Sequence, residues 1–192
     1  MAVDPIEEIR EIIKRAHDAG DEYADAAVLA TVDDDKRPSA RVLLVKHVDR
    51  NGLVFYTNME SRKAQEIESN PNASLCFWWP QFKIQIRVEG KVTTIGEDEA
   101  DTYFATRPRG SQIAAWVSSQ SDTLHDRDKL AIEFADATDR YRGKPVPRPP
   151  HWSGYRILPE SIEIWRDRPD RLHERQLFTR TQNGWKKSFL YP

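Results

Sequence analysis

The sequence predicts an α+β protein, an antiparallel β-barrel with helices inserted between its strands. Three observations carry this expectation. Short runs rich in Val, Ile and Leu recur along the chain, Asn51-Gly52 and Asn183-Gly184 offer hairpin turns between such runs, and helical segments gather in the centre. The 192 residues suit one domain spanning 1–192, long enough to bury a core without covalent staples.

The first element is a helix at about residues 5–19. Asp4 can cap it, Pro5 suits its first turn, and Glu7 has capping-box spacing. Ile6, Ile9, Ile13 and Ala16 form its apolar face, and Gly20 stands at the stop. Strand signals follow at Ala27–Val32 and, after a turn through Asp33–Pro38, at Arg41–Lys46. Asn51-Gly52 returns the chain as Leu53–Thr57, and a short helix at Ser61–Ser69 ends at Asn70-Pro71. Ala73–Trp79 reads as a buried strand, whereas Ile84, Ile86 and Val88 alternate with Gln85, Arg87 and Glu89, the mark of a half-buried one. Three helices are expected at Glu97–Thr106, Ser111–Val117 and Thr123–Arg142, with Arg107-Pro108 separating the first two. The proline-rich stretch Pro145–Pro150 cannot join a sheet ladder and should be an extended connector. Strands then recur at Tyr155–Leu158, Ile162–Trp165, His173–Arg180 and, past Asn183-Gly184, Trp185–Leu190. There is no internal repeat and no low-complexity tract.

Composition excludes several classes of function. With 29 Lys and Arg against 31 Asp and Glu, the chain lacks the basic excess of a protein built to coat nucleic acid. Cys76 is the only cysteine, so neither an intrachain disulfide nor a cysteine-based zinc cluster is possible. Within Leu75-Cys76-Phe77-Trp78-Trp79 it reads as a buried core thiol rather than a nucleophile. No apolar stretch approaches the roughly 18 residues of a membrane span, and the N-terminus lacks a signal-peptide pattern, so the cytoplasm is the expected location. The charge is unevenly placed, with 11 acidic and 3 basic residues before Lys36 but 12 basic and 5 acidic from Arg140 onward. This fits a solvated surface whose ends differ, or a C-terminal third that helps bind a small anion; charge alone favours the first.

Several residues could carry chemistry. Arg62 and Lys63 open a short helix, where free N–H groups and the helix dipole favour a phosphate, although solvated cations are the commoner occupants of such positions. Arg41 and Lys46 lie five positions apart on one strand and should leave on opposite faces. Tyr103, Arg107 and Ser111, at i, i+4 and i+8, would share a helix face if Pro108 did not interrupt it. Arg171, His173 and Arg175 would line one face of a strand, either as a basic edge or around a neutral, hydrogen-bonding histidine. Gln85 could bond a planar heterocycle or simply face solvent. The five histidines show no metal spacing, and there is no GxGxxG, P-loop or HExxH motif.

Together these segments resemble the pyridoxine 5′-phosphate oxidases. The resemblance runs through Arg41-Val42-Leu43-Leu44-Val45-Lys46, Phe55-Tyr56-Thr57-Asn58, Ser61-Arg62-Lys63, Arg107–Ile113, Trp116-Val117-Ser118 and Gln120-Ser121. It ends with Trp165 and the distinctive Arg171-Leu172-His173-Glu174-Arg175. It implies a split β-barrel homodimer with FMN at the subunit interface. Arg41, Tyr56, Thr57, Arg62, Lys63, Gln85, Gln120, Ser121, Trp165 and Arg175 match flavin-contacting positions. Lys46, Tyr103, Arg107 and Ser111 match those holding a substrate phosphate, and Arg171 and His173 match catalytic positions around the substrate's pyridine ring. Many members have a longer N-terminal arm that helps cover the site, whereas this chain starts close to its first helix. The implied activity is oxidation of pyridoxine or pyridoxamine 5′-phosphate to pyridoxal 5′-phosphate, with oxygen as acceptor, hydrogen peroxide as product, and neither nucleic acid nor membrane as partner. Two alternatives accompany it: a flavin oxidase of another ring system, as in phenazine biosynthesis, or a flavin or pyridoxal-phosphate binding module without turnover.

Overall fold

Alternation along the strands decides which side chains face the core. In the computed structural model, which describes residues 4–192, eight strands form: β1 (Ala26–Val32), β2 (Pro38–Asp49), β3 (Gly52–Asn58), β4 (Asn72–Trp79), β5 (Ile84–Thr94), β6 (Trp152–Arg166), β7 (Glu174–Thr181) and β8 (Gly184–Leu190). The helices are α1 (Pro5–Asp18), α2 (Arg62–Ser69), α3 (Glu97–Thr106), α4 (Arg109–Val117) and α5 (Arg127–Arg140), with a 3-10 turn at Pro169–Arg171. The first three residues of the expected 1–192 domain lie outside the described residues. Strand order is β3-β2-β1-β4-β5-β6-β7-β8, and a further β3–β6 pairing closes the first six into an antiparallel barrel that β7 and β8 extend. The α+β barrel class expected from the sequence is the one observed. No helix among the described residues is long and apolar enough to cross a membrane.

Two compact units make up the chain. The first consists of the described part of Met1–Phe55 with Glu66–Thr93 and Arg156–Pro192. Its core holds Leu29, Phe55, Leu75, Phe77, Ile86, Ile157, Ile162 and Phe178, each at most 1 % exposed. Burying a side chain of this size stabilises by roughly 1.5–3 kcal/mol. The second unit consists of Tyr56–Gln65 and Thr94–Tyr155. It packs α3, α4 and α5 around Phe104, Ile113, Ala137, Val146 and Trp152. Its proline-rich connector is held by Trp116 Nε1 donating to the Pro147 carbonyl at 2.8 Å and by Arg148 Nη1 donating to that of Trp152 at 2.8 Å.

Several local expectations change. Asp4 caps α1 as expected, its Oδ1 accepting from the Ile6 amide at 3.0 Å, but Glu7 pairs with Arg10 instead of closing a capping box. The buried stripe of α1 runs through Ile6, Ile9, Ile12 and Ala16, with Ile13 only half-buried, because successive helical positions turn by 100° and position 12 completes the stripe. The third central helix starts at Arg127, not Thr123, because Asp126 caps it by accepting from the Asp128 amide at 2.8 Å. β4 is one-sided rather than buried throughout: Ala73, Leu75, Phe77 and Trp79 point inward, while Trp78 is 51 % exposed and Cys76 is half-buried on the outer face. An antiparallel sheet solvated on one face requires this alternation.

The two strands expected at Tyr155–Leu158 and Ile162–Trp165 are one, β6, with Pro159 inside it. Proline removes only one ladder donor, so a strand survives it at an irregular point. Such a point lies here, because a Cβ on Gly90 of β5 would stand 2.0 Å from the Leu158 carbonyl oxygen. Gly90→Ala is therefore expected to destabilise by roughly 3 kcal/mol or more, since backbone on both sides must shift. Gly110, inside α4 with nothing within 4 Å of an added Cβ, should gain about 0.5–1 kcal/mol on the same change through helix propensity. Urea unfolding of the two variants checks both signs.

Candidate active site

In the second unit, β3 ends in Thr57-Asn58 and the chain turns sharply into α2. Asn58 shapes the turn: its Oδ1 accepts from the Glu60 amide at 2.7 Å and its carbonyl from Ser61 Oγ at 2.7 Å. This places Arg62 and Lys63 at the first turn of α2, as the sequence predicts. Lys63 Nζ donates to Gln120 Oε1 at 2.6 Å, Thr57 Oγ1 at 3.0 Å and Ser61 Oγ at 3.1 Å, and Thr57 Oγ1 donates to Gln120 Oε1 at 3.1 Å. Asn58 Nδ2 donates to the Ser118 carbonyl at 3.2 Å, tying down the loop that carries Gln120 and Ser121. Ser121 sits at φ 81°, in the left-handed region that costs a non-glycine residue about 1 kcal/mol or more. A cation ringed by hydroxyls and an amide at a helix N-terminus offers the donors a phosphate monoester needs.

The same unit holds a further cation, Arg107, set among aromatic rings. α3 stops at Thr106, and Arg107 is extended (φ −66°, ψ 147°) because Pro108 follows it. Tyr103 stacks on Tyr56 with ring centroids 3.8 Å apart, and Tyr56 stacks on Trp152 at 5.4 Å. The Arg107 guanidinium lies over Trp152, 4.7 Å from the ring centroid, and 5.5 Å from that of Phe104. Its Nη1 is buried with no hydrogen-bond partner. Burial pulls the Arg107 pKa below its ordinary value, with Tyr103 acting in the opposite direction. A buried donor without an acceptor costs about 1–3 kcal/mol, and more when charged, so this guanidinium is primed for an anion. Ser111 stands half-buried in the first turn of α4, on a different helix from Tyr103 because Pro108 divides them.

In the barrel unit, Gln85, Trp165 and Arg175 lie on neighbouring strands, with His173 just before β7. Gln85 lies opposite Trp78 in the β4–β5 register, and its Oε1 accepts from Cys76 Sγ at 3.3 Å. The Trp78 and Trp165 rings are 6.1 Å apart, and Trp165 faces Arg175 across the β6–β7 register. Buried Glu163 anchors the group. It accepts from Arg175 Nε at 2.8 Å and Nη2 at 3.1 Å, and also from Arg87 Nη2. Arg175 Nη1 donates to the Tyr191 carbonyl at 2.8 Å.

Burial pushes the Glu163 pKa up, but hydrogen bonds and charge from Arg175 and Arg87 outweigh it and hold the carboxyl below the usual carboxylate range. A folded-state pKa below the unfolded one, about 4.3, gives stability that is complete at neutral pH and lost as pH falls through the folded value. Unfolding free energy should therefore decline below about pH 4, and Glu163→Gln should flatten that decline while lowering stability at pH 7. Denaturant titrations at stepped pH measure this.

The expectation that Arg171, His173 and Arg175 line one strand face is corrected. β7 begins only at Glu174, and Arg171 closes the 3-10 turn, where Asp170 (φ 57°) and Arg171 (φ 61°) are both left-handed. Pro169 fixes the chain direction at the start of the turn, and two positive φ angles reverse it before the strand can form. Arg171 is exposed, and its guanidinium makes no hydrogen bond or ion pair among the described residues. The His173 ring packs 4.6 Å from that of Trp165.

Arg41 and Lys46 both lie on β2, and a register shift between Val45 and His47 interrupts at Lys46 the alternation from which opposite faces are expected. Arg41 lies on the inner side, where it donates to Thr31 Oγ1, Ser39 Oγ and the buried carboxylate of Glu66, the last at 3.1 Å. Lys46 pairs with Asp25 at 2.7 Å. The sequence reading missed Glu66, Asp25, Glu163 and Trp152. No local spacing reveals them, since each meets its partner only through folding.

Two family models match the chain: pyridoxamine 5′-phosphate oxidase over residues 7–141, and the pyridoxine 5′-phosphate oxidase C-terminal dimerisation region over residues 152–192. The chain belongs to the pyridoxamine 5′-phosphate oxidase family. A pyridoxine/pyridoxamine 5′-phosphate oxidase of Myxococcus xanthus is 49% identical over 189 residues, covering 98% of this chain and 92% of the relative. One from Rubrobacter xylanophilus is 48% identical over 189 residues, covering 98% and 87%. Among solved structures, PhzG of Burkholderia lata, in complex with tetrahydrophenazine-1-carboxylic acid, superposes with a TM-score of 0.93 at 33% identity, covering 98% of this chain and 93% of PhzG.

Proposed function

We propose that this member of the family is an FMN-dependent oxidase converting pyridoxine 5′-phosphate or pyridoxamine 5′-phosphate to pyridoxal 5′-phosphate, with oxygen as acceptor and hydrogen peroxide as product. Arg107 carries the reading: a buried guanidinium nitrogen with no partner, over an indole and beside two stacked tyrosines, asks for a small anion on a flat ring system. Tyr103, Ser111 and Lys46 complete the proposed anchor for the substrate phosphate. The cofactor fits the donors present. Lys63 with Thr57, Gln120 and the α2 N-terminus would take the FMN phosphate, with Arg41, Arg62, Tyr56 and Ser121 completing that set. Gln85, Trp165 and Arg175 offer amide, indole and guanidinium edges to its ring. When bound, FMN supplies the two-electron chemistry. The chain's own residues bind and orient: a phosphate anchored remotely fixes the reacting carbon, which lowers the barrier by removing motion. Arg171 and His173 are assigned to the pyridine ring.

A phenazine-type oxidase is the second reading, favoured by the close superposition with PhzG. A substrate without phosphate would leave Arg107 Nη1 buried and unsatisfied, which supports the first. A binding module without turnover is the third. Purified protein incubated aerobically with pyridoxine 5′-phosphate tests all three. Pyridoxal 5′-phosphate and peroxide in equal amounts are expected; no product from protein that retains FMN would overturn the proposal.

We place this activity in a cytoplasmic homodimer that works as one domain per chain. The matched dimerisation region supports it, as does an apolar outer sheet face of Val28, Val42, Leu44 and Trp78, with Val42 67 % and Trp78 51 % exposed. Sedimentation should give about twice 22.3 kDa for the flavin-loaded protein. An active, loaded monomer would contradict this.

A further inference from the structure

We infer that Glu174 is a positioning residue for His173, acting through Arg168, and that this arrangement leaves the imidazole a hydrogen-bond donor at Nε2. The inference rests on the reading above only for the part His173 plays in turnover. β6 ends at Arg166 and β7 begins at Glu174, and these two residues face each other in the strand register. Residues 167–173 connect them and carry both Arg171 and His173. What holds this connection therefore sets where the two side chains stand.

The Glu174 carboxylate divides its oxygens between the sheet and the connection. Oε1 accepts from Arg166 Nη1 at 3.3 Å and from Gln176 Nε2, both on the paired strands. Arg166 is itself held, its Nη2 donating to the Glu8 carboxylate of α1. Oε2 reaches into the connection and accepts from Arg168 Nη2 at 2.8 Å. Burial pushes the Glu174 pKa up, but hydrogen bonds from Gln176 and Arg168 and the charges of Arg166 and Arg168 hold the carboxyl below the usual range. Its contacts with the two arginines are therefore charge-assisted at neutral pH, and such bonds are roughly twice as strong as neutral ones.

Arg168 carries the constraint to the histidine. Its Nη1 turns back to the Asp167 carbonyl at 3.1 Å, and its backbone amide donates to His173 Nδ1 at 3.3 Å. The residue is thus tied to Glu174 by its side chain and to His173 by its main chain. Asp167 Oδ1 lies 3.2 Å from the same ring nitrogen without the geometry of a hydrogen bond, and Asp167 Oδ2 forms an ion pair with Lys83 Nζ at 3.3 Å. A nitrogen that accepts an amide hydrogen carries no proton of its own, so the neutral ring holds its proton on Nε2. Trp165, with its ring 4.6 Å from that of His173, packs against the imidazole. Nδ1 is committed to the connection, and Nε2–H is what remains for substrate. It can donate to an oxygen borne by the pyridine ring, but it cannot accept a proton from the reacting group.

The test combines amide hydrogen exchange with a long-range ¹H–¹⁵N correlation spectrum of the uniformly labelled, FMN-loaded protein at a pH where the imidazole is neutral. The His173 ring signals are assigned by their loss in His173→Gln. The wild type should show the ring proton on Nε2. In Glu174→Ala the Arg168 amide should exchange roughly tenfold faster or more, with the amides of β4 and β5 unchanged. A ring proton on Nδ1 in the wild type, or unchanged exchange at Arg168, overturns the inference. Arg168→Ala trims a half-exposed side chain, removes the same contact and leaves the amide measurable, so it should show the same faster exchange if Glu174→Ala does not fold. In steady-state kinetics Glu174→Ala should lower kcat on the order of tenfold with KM and bound FMN unchanged. Arg168→Ala should lose as much, and the double variant no more than either alone, because both remove one contact. Additive losses contradict the route through Arg168. Exchange and the ring proton are read whether or not pyridoxine 5′-phosphate is oxidised, so failure of the proposed function and failure of this inference are distinguishable.

Discussion

Arg107→Ala is expected to raise the Michaelis constant for pyridoxine 5′-phosphate roughly ten- to a hundredfold while leaving kcat within a few-fold, the loss of one charge-assisted hydrogen bond of about 1.5–3 kcal/mol. The phosphate does not react, so its contact has equal strength in the ground and transition states, and losing it weakens binding without slowing chemistry. Thermal stability should change little. The variant gives up the cation–π contact with Trp152 but also removes a buried donor that no acceptor satisfies. Lysine at this position should recover binding only in part, because it lacks the planar fork that matches phosphate oxygens.

Arg171→Ala should do the opposite. On the proposed function Arg171 lies at the pyridine ring, where charge shifts as the carbon is oxidised, so its removal should cost roughly a hundredfold in kcat with little change in KM. Its guanidinium is tied to nothing among the described residues, so neither stability nor bound FMN should fall. Arg171→Gly separates side chain from backbone. Glycine accepts φ 61° without strain, so the turn should keep its shape while turnover stays low. Kinetics of the three variants with FMN content measured on each would reverse the assignment if Arg107→Ala lost turnover and Arg171→Ala lost only affinity.

Local signals made the barrel legible. Asn51-Gly52 and Asn183-Gly184 begin the β3 and β8 returns, and the alternation at Ile84, Ile86 and Val88 gives the inward face of β5. Pro159 defeated the same reasoning, because a strand break inferred from proline ignores the closeness of Gly90 to Leu158. The strand pattern placed on Arg171 and His173 failed for a related reason: two left-handed residues, neither of them glycine, leave no trace in composition. Most cationic candidates were visible as residues, but not their acidic partners. Arg41 meets Glu66, Lys46 meets Asp25, and Arg175 meets Glu163, pairings set by strand register and barrel closure rather than by spacing. Trp152 was equally silent, since what marks it is the guanidinium above its ring.

The most direct test of the central claim is anaerobic mixing of the FMN-loaded protein with pyridoxine 5′-phosphate or pyridoxamine 5′-phosphate in a stopped-flow spectrophotometer. The oxidised-flavin absorbance should bleach in a single turnover and return when oxygen is admitted. If it persists with both phosphorylated pyridines yet bleaches with a reduced phenazine carboxylate, the account of the substrate is contradicted.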